Sequence, residues 1–195
     1  MDIYLLRHGV SVSNELSLVC GAKDFPLSRK GEEQAEKICE HLNKVSFTRI
    51  YCSPLKRAMQ TIKHLKEFKK SIFEKSLIEL DTGTYSDLKV HELYMIDDRY
   101  KYQGLNPNLK YPNGECLNDM YNRVAGWFCN EKKNWTSDDK ILISGHEGTV
   151  SSILHYISES NLNNYPLFLV ENCQVVQLNI NDDAQCRIKF WDNCV

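Results

Sequence analysis

Three short apolar runs constrain this chain more than anything else in it. Each closes in a polar or glycine-bearing turn and gives way, directly or after a loop, to a helical pattern. They are Ile3-Tyr4-Leu5-Leu6 before Arg7-His8-Gly9, residues 48–52 before Ser53-Pro54, and residues 140–144 before Gly145-His146-Glu147. Apolar runs of this length, bounded by turn residues, read as buried strands. Strands alternating with helices predict an α/β fold with a mainly parallel sheet, whose strand ends share one edge. Open sheets of this kind bind ligands at that edge. Gly9 lets the chain turn sharply there and lets backbone approach a ligand.

The intervening segments fit this plan. Ser28 is a helix N-cap, and Ala35, Ile38, Cys39 and Leu42 then repeat at i, i+3, i+4, i+7 on one apolar face. Ser53 reads as the next N-cap with Pro54 at the first helical position; Leu55, Ala58, Met59, Ile62 and Leu65 line that helix. Residues 72–74 read as a weaker strand. Residues 86–114, with Pro107 and Pro112, read as short helices and loops over the site. A long helix opens after Glu115 with Leu117, Met120, Tyr121, Val124 and Phe128 inward, and residues 149–157 form another. Residues 170–180 and 186–191, split by Asn181-Asp182-Asp183, read as an antiparallel hairpin. The expected architecture is an α/β three-layer sandwich: a mainly parallel central sheet, helices on both faces, and a C-terminal antiparallel hairpin. Residues 1–195 are expected to be one domain, with 80–114 as a small cap.

Composition matters for what it excludes. Lys plus Arg is 24 against 26 Asp plus Glu, a net charge of −2, so no basic face for nucleic acid is announced. Any charge that binds phosphate must therefore be local. No apolar run is long enough to cross a membrane, and no signal peptide is visible, so a cytoplasmic location is expected. The 8 cysteines show no C-x-x-C pairing, and free thiols are expected, with Cys39 and Cys52 in the core. No His or Cys pair has the spacing of zinc ligands, so no metal is expected.

Local charge is present at the strand ends. Arg7 and His8, Arg57 in the first turn of a helix, and His146 all converge on one edge if the sheet is parallel. Two arginines and two histidines there make a positive pocket suited to a dianionic phosphate, which arginine grips with paired hydrogen bonds. The helix N-terminus at Arg57 also favours an anion.

These residues resemble the signature of the histidine phosphatase superfamily, in the branch that includes cofactor-dependent phosphoglycerate mutase. Arg7-His8-Gly9 with Ser11 and Asn14 matches its opening motif. Cys20-Gly21-Ala22-Lys23-Asp24-Phe25-Pro26-Leu27-Ser28, with Gly31 and Gln34-Ala35, matches the loop and helix after it. Ser53-Pro54-Leu55 with Arg57-Ala58 matches the second arginine motif, and Ser144-Gly145-His146 the second histidine motif. Glu79, Asp81, Gly83 and Tyr85 resemble the acid-bearing loop, and Pro112-Asn113-Gly114-Glu115 the turn opening the long helix. The matches run in order from residue 4 to about 150. Two positions depart from the pattern: Glu147 stands where this branch carries glycine, and Tyr85-Ser86-Asp87 replaces an aromatic-acid-glycine run.

The resemblance implies His8 as the nucleophile, with Arg7, Arg57 and His146 binding the transferring phosphoryl oxygens. A neutral imidazole is nucleophilic near pH 7, and phosphoryl transfer rests mostly on positioning and charge. Glu79 is the expected general acid, with Asp81 as second choice. Glu147 is the rival, because in the other branch an acid directly after the second histidine donates the proton. Ser11 and Asn14 are open between phosphate contacts and local turn capping. Lys23 belongs to the loop that reaches substrate in relatives, and Lys89, His91, Arg99, Lys101 and Tyr102 of the cap are open to a polar substrate. His41, His64, His91 and His155 have no motif around them and read as surface or packing residues. The expected function is metal-independent hydrolysis of a small phosphate ester, with no cofactor, nucleic acid or membrane partner. The compact length between the acid loop and Glu115 resembles α-ribazole-phosphate and broad-specificity phosphatases. Phosphoglycerate mutase and a catalytically silent phospho-ligand module are the alternatives. Oligomeric state is not legible, and a homodimer stays open.

Overall fold

Alternate side chains of the first strand, β1 (Asp2–Arg7), sort the core into two layers. Ile3 and Leu5 face one side of the sheet, Tyr4 and Leu6 the other, and all are buried. The computed structural model describes residues 1–165, 167–181 and 185–191, without the side chains of 102–105. The other strands are β2 (Arg49–Cys52), β3 (Ile72–Phe73), β4 (Lys140–Gly145), β5 (Val175–Ile180) and β6 (Cys186–Phe190). The sheet order is β3-β2-β4-β1-β5-β6. The first four strands pair in parallel, β5 runs antiparallel to β1, and β6 antiparallel to β5.

Helices cover both faces. α2 (Arg29–Leu42) and α3 (Lys56–Ile62) pack on the Tyr4/Leu6 side, through Ile38, Cys39, Leu42, Ala58 and Ile62. α5 (Leu117–Lys132) and α6 (Glu147–Ile157) pack on the Ile3/Leu5 side, through Leu117, Met120, Val124, Phe128, Val150 and Ile153. Two shorter helices complete the fold, α1 (Val12–Glu15) and α4 (Val90–Ile96), with a 3-10 segment at Asp98–Leu105. The expected three-layer architecture with its C-terminal hairpin is therefore found. The Asp182-Asp183 part of the hairpin turn and Cys194 lie outside the described residues.

Local differences have physical causes. The stretch after Gly9 holds the helical turn α1, because the side chains of Ser11 and Asn14 cap each other's backbone. Ser53 is not the cap of α3. Leu55 occupies that position, while the Ser53 hydroxyl is taken up by His146. α6 opens at Glu147 rather than Thr149, with His146 as its N-cap. β5 begins at Val175 rather than Val170, because Cys173 takes a positive φ and its amide turns back to β1. Tyr121 is only half-buried.

Gly9 has a different job from the one its turn position suggests. A Cβ there would lie 2.8 Å from the Gly31 carbonyl, and one on Gly31 would lie 2.0 Å from the Val10 carbonyl. The pair lets α2 press against the end of β1, which fixes the backbone that carries His8.

Candidate active site

Strand register assembles the site. Arg7 is paired with Gly145 across β1 and β4, and Cys52 with Ser144 across β2 and β4. The residues that follow, His8, His146 and Ser53, therefore emerge side by side. The His8 amide donates to the Gly145 carbonyl at 3.0 Å, and the Ser53 amide to the Ser144 carbonyl at 2.9 Å.

The two imidazoles share one arginine. His8 Nδ1 lies 2.7 Å from its neighbour Gly9's carbonyl, which can only accept, so Nδ1 carries the hydrogen and Nε2 the lone pair. Arg57 Nε–H points at both His8 Nε2 and His146 Nδ1, each at 3.2 Å. His146 must then carry its hydrogen on Nε2, which donates to Ser53 Oγ at 2.8 Å. Burial, followed by the Arg57 charge, holds both histidines well below the usual imidazole range, so both are neutral near pH 7. Arg57 itself is buried. Its two terminal nitrogens donate to the carbonyls of Lys23 and Gly21, both at 2.7 Å. Burial lowers its guanidinium from the ordinary value, opposed by Cys20, Glu79 and Asp24.

Arg7 and two carboxylates form the opposite wall. Arg7 donates through one terminal nitrogen to the Val170 carbonyl at 2.6 Å and pairs with Glu147 at 2.6 Å. Its Nε is buried with no partner among the described residues. Burial raises the Glu147 carboxyl above its ordinary value; Arg7 opposes this and the Glu79 charge adds to it. Glu79 accepts from its neighbour Leu80's amide at 2.8 Å and from the Gly148 amide at 3.2 Å. A Cβ at 148 would sit 2.2 Å from Glu79 Oε1, so any larger residue there would push the carboxylate out of its present place. Behind Glu79 the acid loop is held by Arg123, which pairs with Glu115 and donates to the carbonyls of Ser76 and Ile78. Asp81 closes a turn by accepting from the Gly83 amide at 2.9 Å, and it does not line the cavity.

These groups surround a cavity of about 230 Å³. Of the residues singled out in the sequence, Arg7, His8, Ser11, Asn14, Arg57, Glu79 and Glu147 line it. His146 is brought to the site but lies beneath Arg57, fully buried, and does not reach the cavity wall. Lys23 lies outside the wall: its ammonium pairs with Asp87, and its carbonyl holds Arg57. Ser11 and Asn14 cap α1 and also face the cavity. His155 is a buried packing residue stacked on Tyr165 at 6.0 Å.

Tyr165 also lines the cavity and was not singled out by the sequence. Burial, with Glu79 and Glu147 nearby, pushes its phenol strongly upward, so it remains a neutral hydroxyl. Its only sequence signal is an aromatic residue followed by proline in a polar loop. Among the described residues no cluster of three or more His, Cys, Asp or Glu could hold a metal, and no helix is long and apolar enough to cross a membrane.

Fold and site together define a class: an α/β protein presenting a neutral imidazole and two guanidiniums at the ends of parallel strands. Residues 3–193 match the family described as the histidine phosphatase superfamily (branch 1), and the chain belongs to it. Among curated relatives, it is 29% identical over 186 residues to 6-phosphofructo-2-kinase/fructose-2,6-bisphosphatase of Caenorhabditis elegans. That match covers 91% of this chain but only 38% of the nematode protein. It is 30% identical over 148 residues to phosphoserine phosphatase 1 of Hydrogenobacter thermophilus, covering 74% of this chain and 70% of that protein. Among solved structures, mycobacterial glucosyl-3-phosphoglycerate phosphatase superimposes with a TM-score of 0.85 at 21% identity, covering 97% of both chains, which shows the shared fold.

Proposed function

We propose that the protein hydrolyses small phosphate monoesters through a phosphohistidine on His8, without a metal ion. The observation that carries this reading is the fixed tautomer of His8. Its Nδ1–H is tied to the Gly9 carbonyl, so the lone pair is on Nε2, where it accepts from Arg57 Nε–H at 3.2 Å and is freed for attack when that hydrogen turns to a phosphoryl oxygen. An imidazole kept neutral by burial is a ready nucleophile, needing no separate base.

In the first step His8 Nε2 attacks phosphorus, and the bond to the ester oxygen breaks. Arg7 and Arg57, which line the cavity, hold the phosphoryl oxygens. His146 acts through Arg57, keeping its Nε in register between the two rings. Glu79, protonated, gives its hydrogen to the departing alkoxide. In the second step Glu79 takes a proton from water as that water attacks phosphorus, releasing His8 and phosphate. Glu79 is favoured over Glu147 because Glu147 is held in an ion pair with Arg7, whereas Glu79 accepts only from backbone amides. Residues 80–114 act as the cap of a single domain, with Leu80 and Thr82 as its contribution to the cavity wall.

Rapid quench of the enzyme with a phosphate ester in chelating buffer tests this directly. The expected result is acid-labile, base-stable phosphate on His8, absent from His8→Ala. Phosphate on serine or cysteine, or activity lost to the chelator and restored by Mg²⁺ or Zn²⁺, sinks the mechanism. Phosphate binding without turnover favours the silent binding module.

A further inference from the structure

The cations lining the cavity are Arg7 and Arg57 alone, and both are committed. Arg57 spends its terminal nitrogens on two carbonyls, and Arg7 shares one of its own between Val170 and Glu147. What remains of their charge is needed by the transferring phosphoryl group. Lys23, on the neighbouring loop, is paired with Asp87. None of the residues outside the described set is Lys, Arg or His. Against this stand two carboxylates joined through one backbone step. Glu147 holds Arg7, and the amide of Gly148, next in the chain, donates to Glu79. The rest of the wall offers hydroxyls and apolar surface from Ser11, Ser13, Leu18, Thr82 and Tyr165.

We propose that Glu147 makes the site selective for phosphate esters whose leaving group carries no negative charge, such as neutral or amino alcohols, over those bearing a carboxylate or second phosphate. The inference rests on the phosphatase reading above. An anionic leaving group meets the Glu147 carboxylate, held in place by Arg7, and among the described residues no uncommitted cation lines the cavity to pair with it. Like charges brought together there are strongly disfavoured. A neutral polyol finds hydroxyl partners, and an ammonium group finds attraction. Glu147 is the residue through which this acts, since it both screens Arg7 and is the anion left facing the leaving group while Glu79 carries the proton it donates.

Two matched pairs of esters isolate the charge. Glycerol 3-phosphate and 3-phosphoglycerate differ by a hydroxymethyl against a carboxylate; phosphoethanolamine and phosphoserine differ by a hydrogen against a carboxylate. Wild type is expected to show a kcat/KM at least about tenfold higher for the carboxylate-free member of each pair. E147Q is expected to compress both ratios about threefold or more, mainly through faster turnover of the carboxylate-bearing members. Wild-type ratios near one, or favouring the carboxylates, overturn the proposal, and so does an E147Q enzyme with unchanged ratios. The wild-type ratios need no variant, so the proposal is exposed even if E147Q folds poorly. Absence of turnover on all four esters and on para-nitrophenyl phosphate overturns the phosphatase reading as well; turnover with reversed ratios overturns this inference alone.

Discussion

The parallel strands β1, β2 and β4 meet the site through the residues that leave their ends, whereas the antiparallel β5 meets it through the loop that precedes it. His8, Ser53 and His146 leave the ends of parallel strands in register, and Arg57 follows one turn later. β5 starts where β1 ends, with Val175 opposite Leu6, so what it delivers is residues 165–174. That loop gives Tyr165 to the wall, the Val170 carbonyl to Arg7, and the Cys173 amide to the carbonyls of Arg7 and His8 at 3.1 and 3.2 Å. Parallel connections send each strand back to the same edge, so chemistry scattered along the chain converges by topology. The antiparallel side contributes mainly backbone contacts that brace what the other side presents.

The largest effect is expected where a side chain acts on the reacting atoms. On the proposed mechanism Glu79→Gln removes the proton donor but keeps the shape that receives the Gly148 amide. Alkyl alkoxides need a proton to leave, whereas para-nitrophenolate departs unaided. Single-turnover phosphorylation of His8 by an alkyl phosphate is therefore expected to slow by roughly 10²–10⁴-fold, and much less with para-nitrophenyl phosphate. Glu147→Gln is expected to change these two rates modestly and equally. If the leaving-group dependence appears in Glu147→Gln and not in Glu79→Gln, the acid has been placed on the wrong carboxylate.

This contrast also explains what the sequence could reveal. Arg7-His8-Gly9, the segment from Ser53 to Arg57 and Ser144-Gly145-His146 are local strings whose side chains matter, so they could be read directly. The Ser28 cap and the i, i+3, i+4 face of α2 were legible for the same reason. Ser53 was legible as a helix cap but serves His146 instead, a partner 93 residues away that only β2–β4 register reveals. Residues 167–174 work largely through backbone carbonyls and amides, which are not tied to side-chain identity, so the sequence carries little mark of their role. Gly148 was similarly silent: its value lies in the space a carboxylate from residue 79 occupies.

A smaller effect is expected in stability against pH. His8 and His146 are held neutral in the folded protein by burial and by Arg57, whereas in the unfolded chain each takes a proton near 6.5. Above that value neither state binds the proton, and stability owes nothing to the difference. As pH falls below 6.5 the unfolded chain binds two more protons than the folded one, so stability drops until the lowered folded values are passed. Each histidine contributes about 1.4 kcal/mol per pH unit in that window. Urea unfolding between pH 7 and pH 5 is expected to show a shallower fall for His8→Gln than for wild type, by about one histidine's share. Parallel curves would mean that His8 takes its proton at the same pH in the folded and unfolded chain, so that burial and Arg57 do not hold it neutral.

The smallest effect is expected on the antiparallel side, and it tests whether bracing matters for chemistry at all. Asn172 Nδ2 donates to the His8 carbonyl at 3.0 Å and lies 3.4 Å from Asn14 Oδ1. It does not line the cavity, so it acts through the backbone of His8 and through Asn14. Asn172→Ala removes these bonds but leaves the Cys173 amide on the His8 carbonyl. One such hydrogen bond is worth about 1 kcal/mol, which corresponds to roughly a fivefold change in rate if it is felt fully at the reacting nitrogen. The expected outcome is a fall in kcat of a few-fold with KM nearly unchanged, because the proposed mechanism holds the phosphoryl oxygens on Arg7 and Arg57 and not on this loop. A purely structural role would lower the urea midpoint and leave kcat per folded molecule intact. A rise in KM instead would place Asn172 on the substrate, and the division between the strands that act and the loop that braces would fail at this residue.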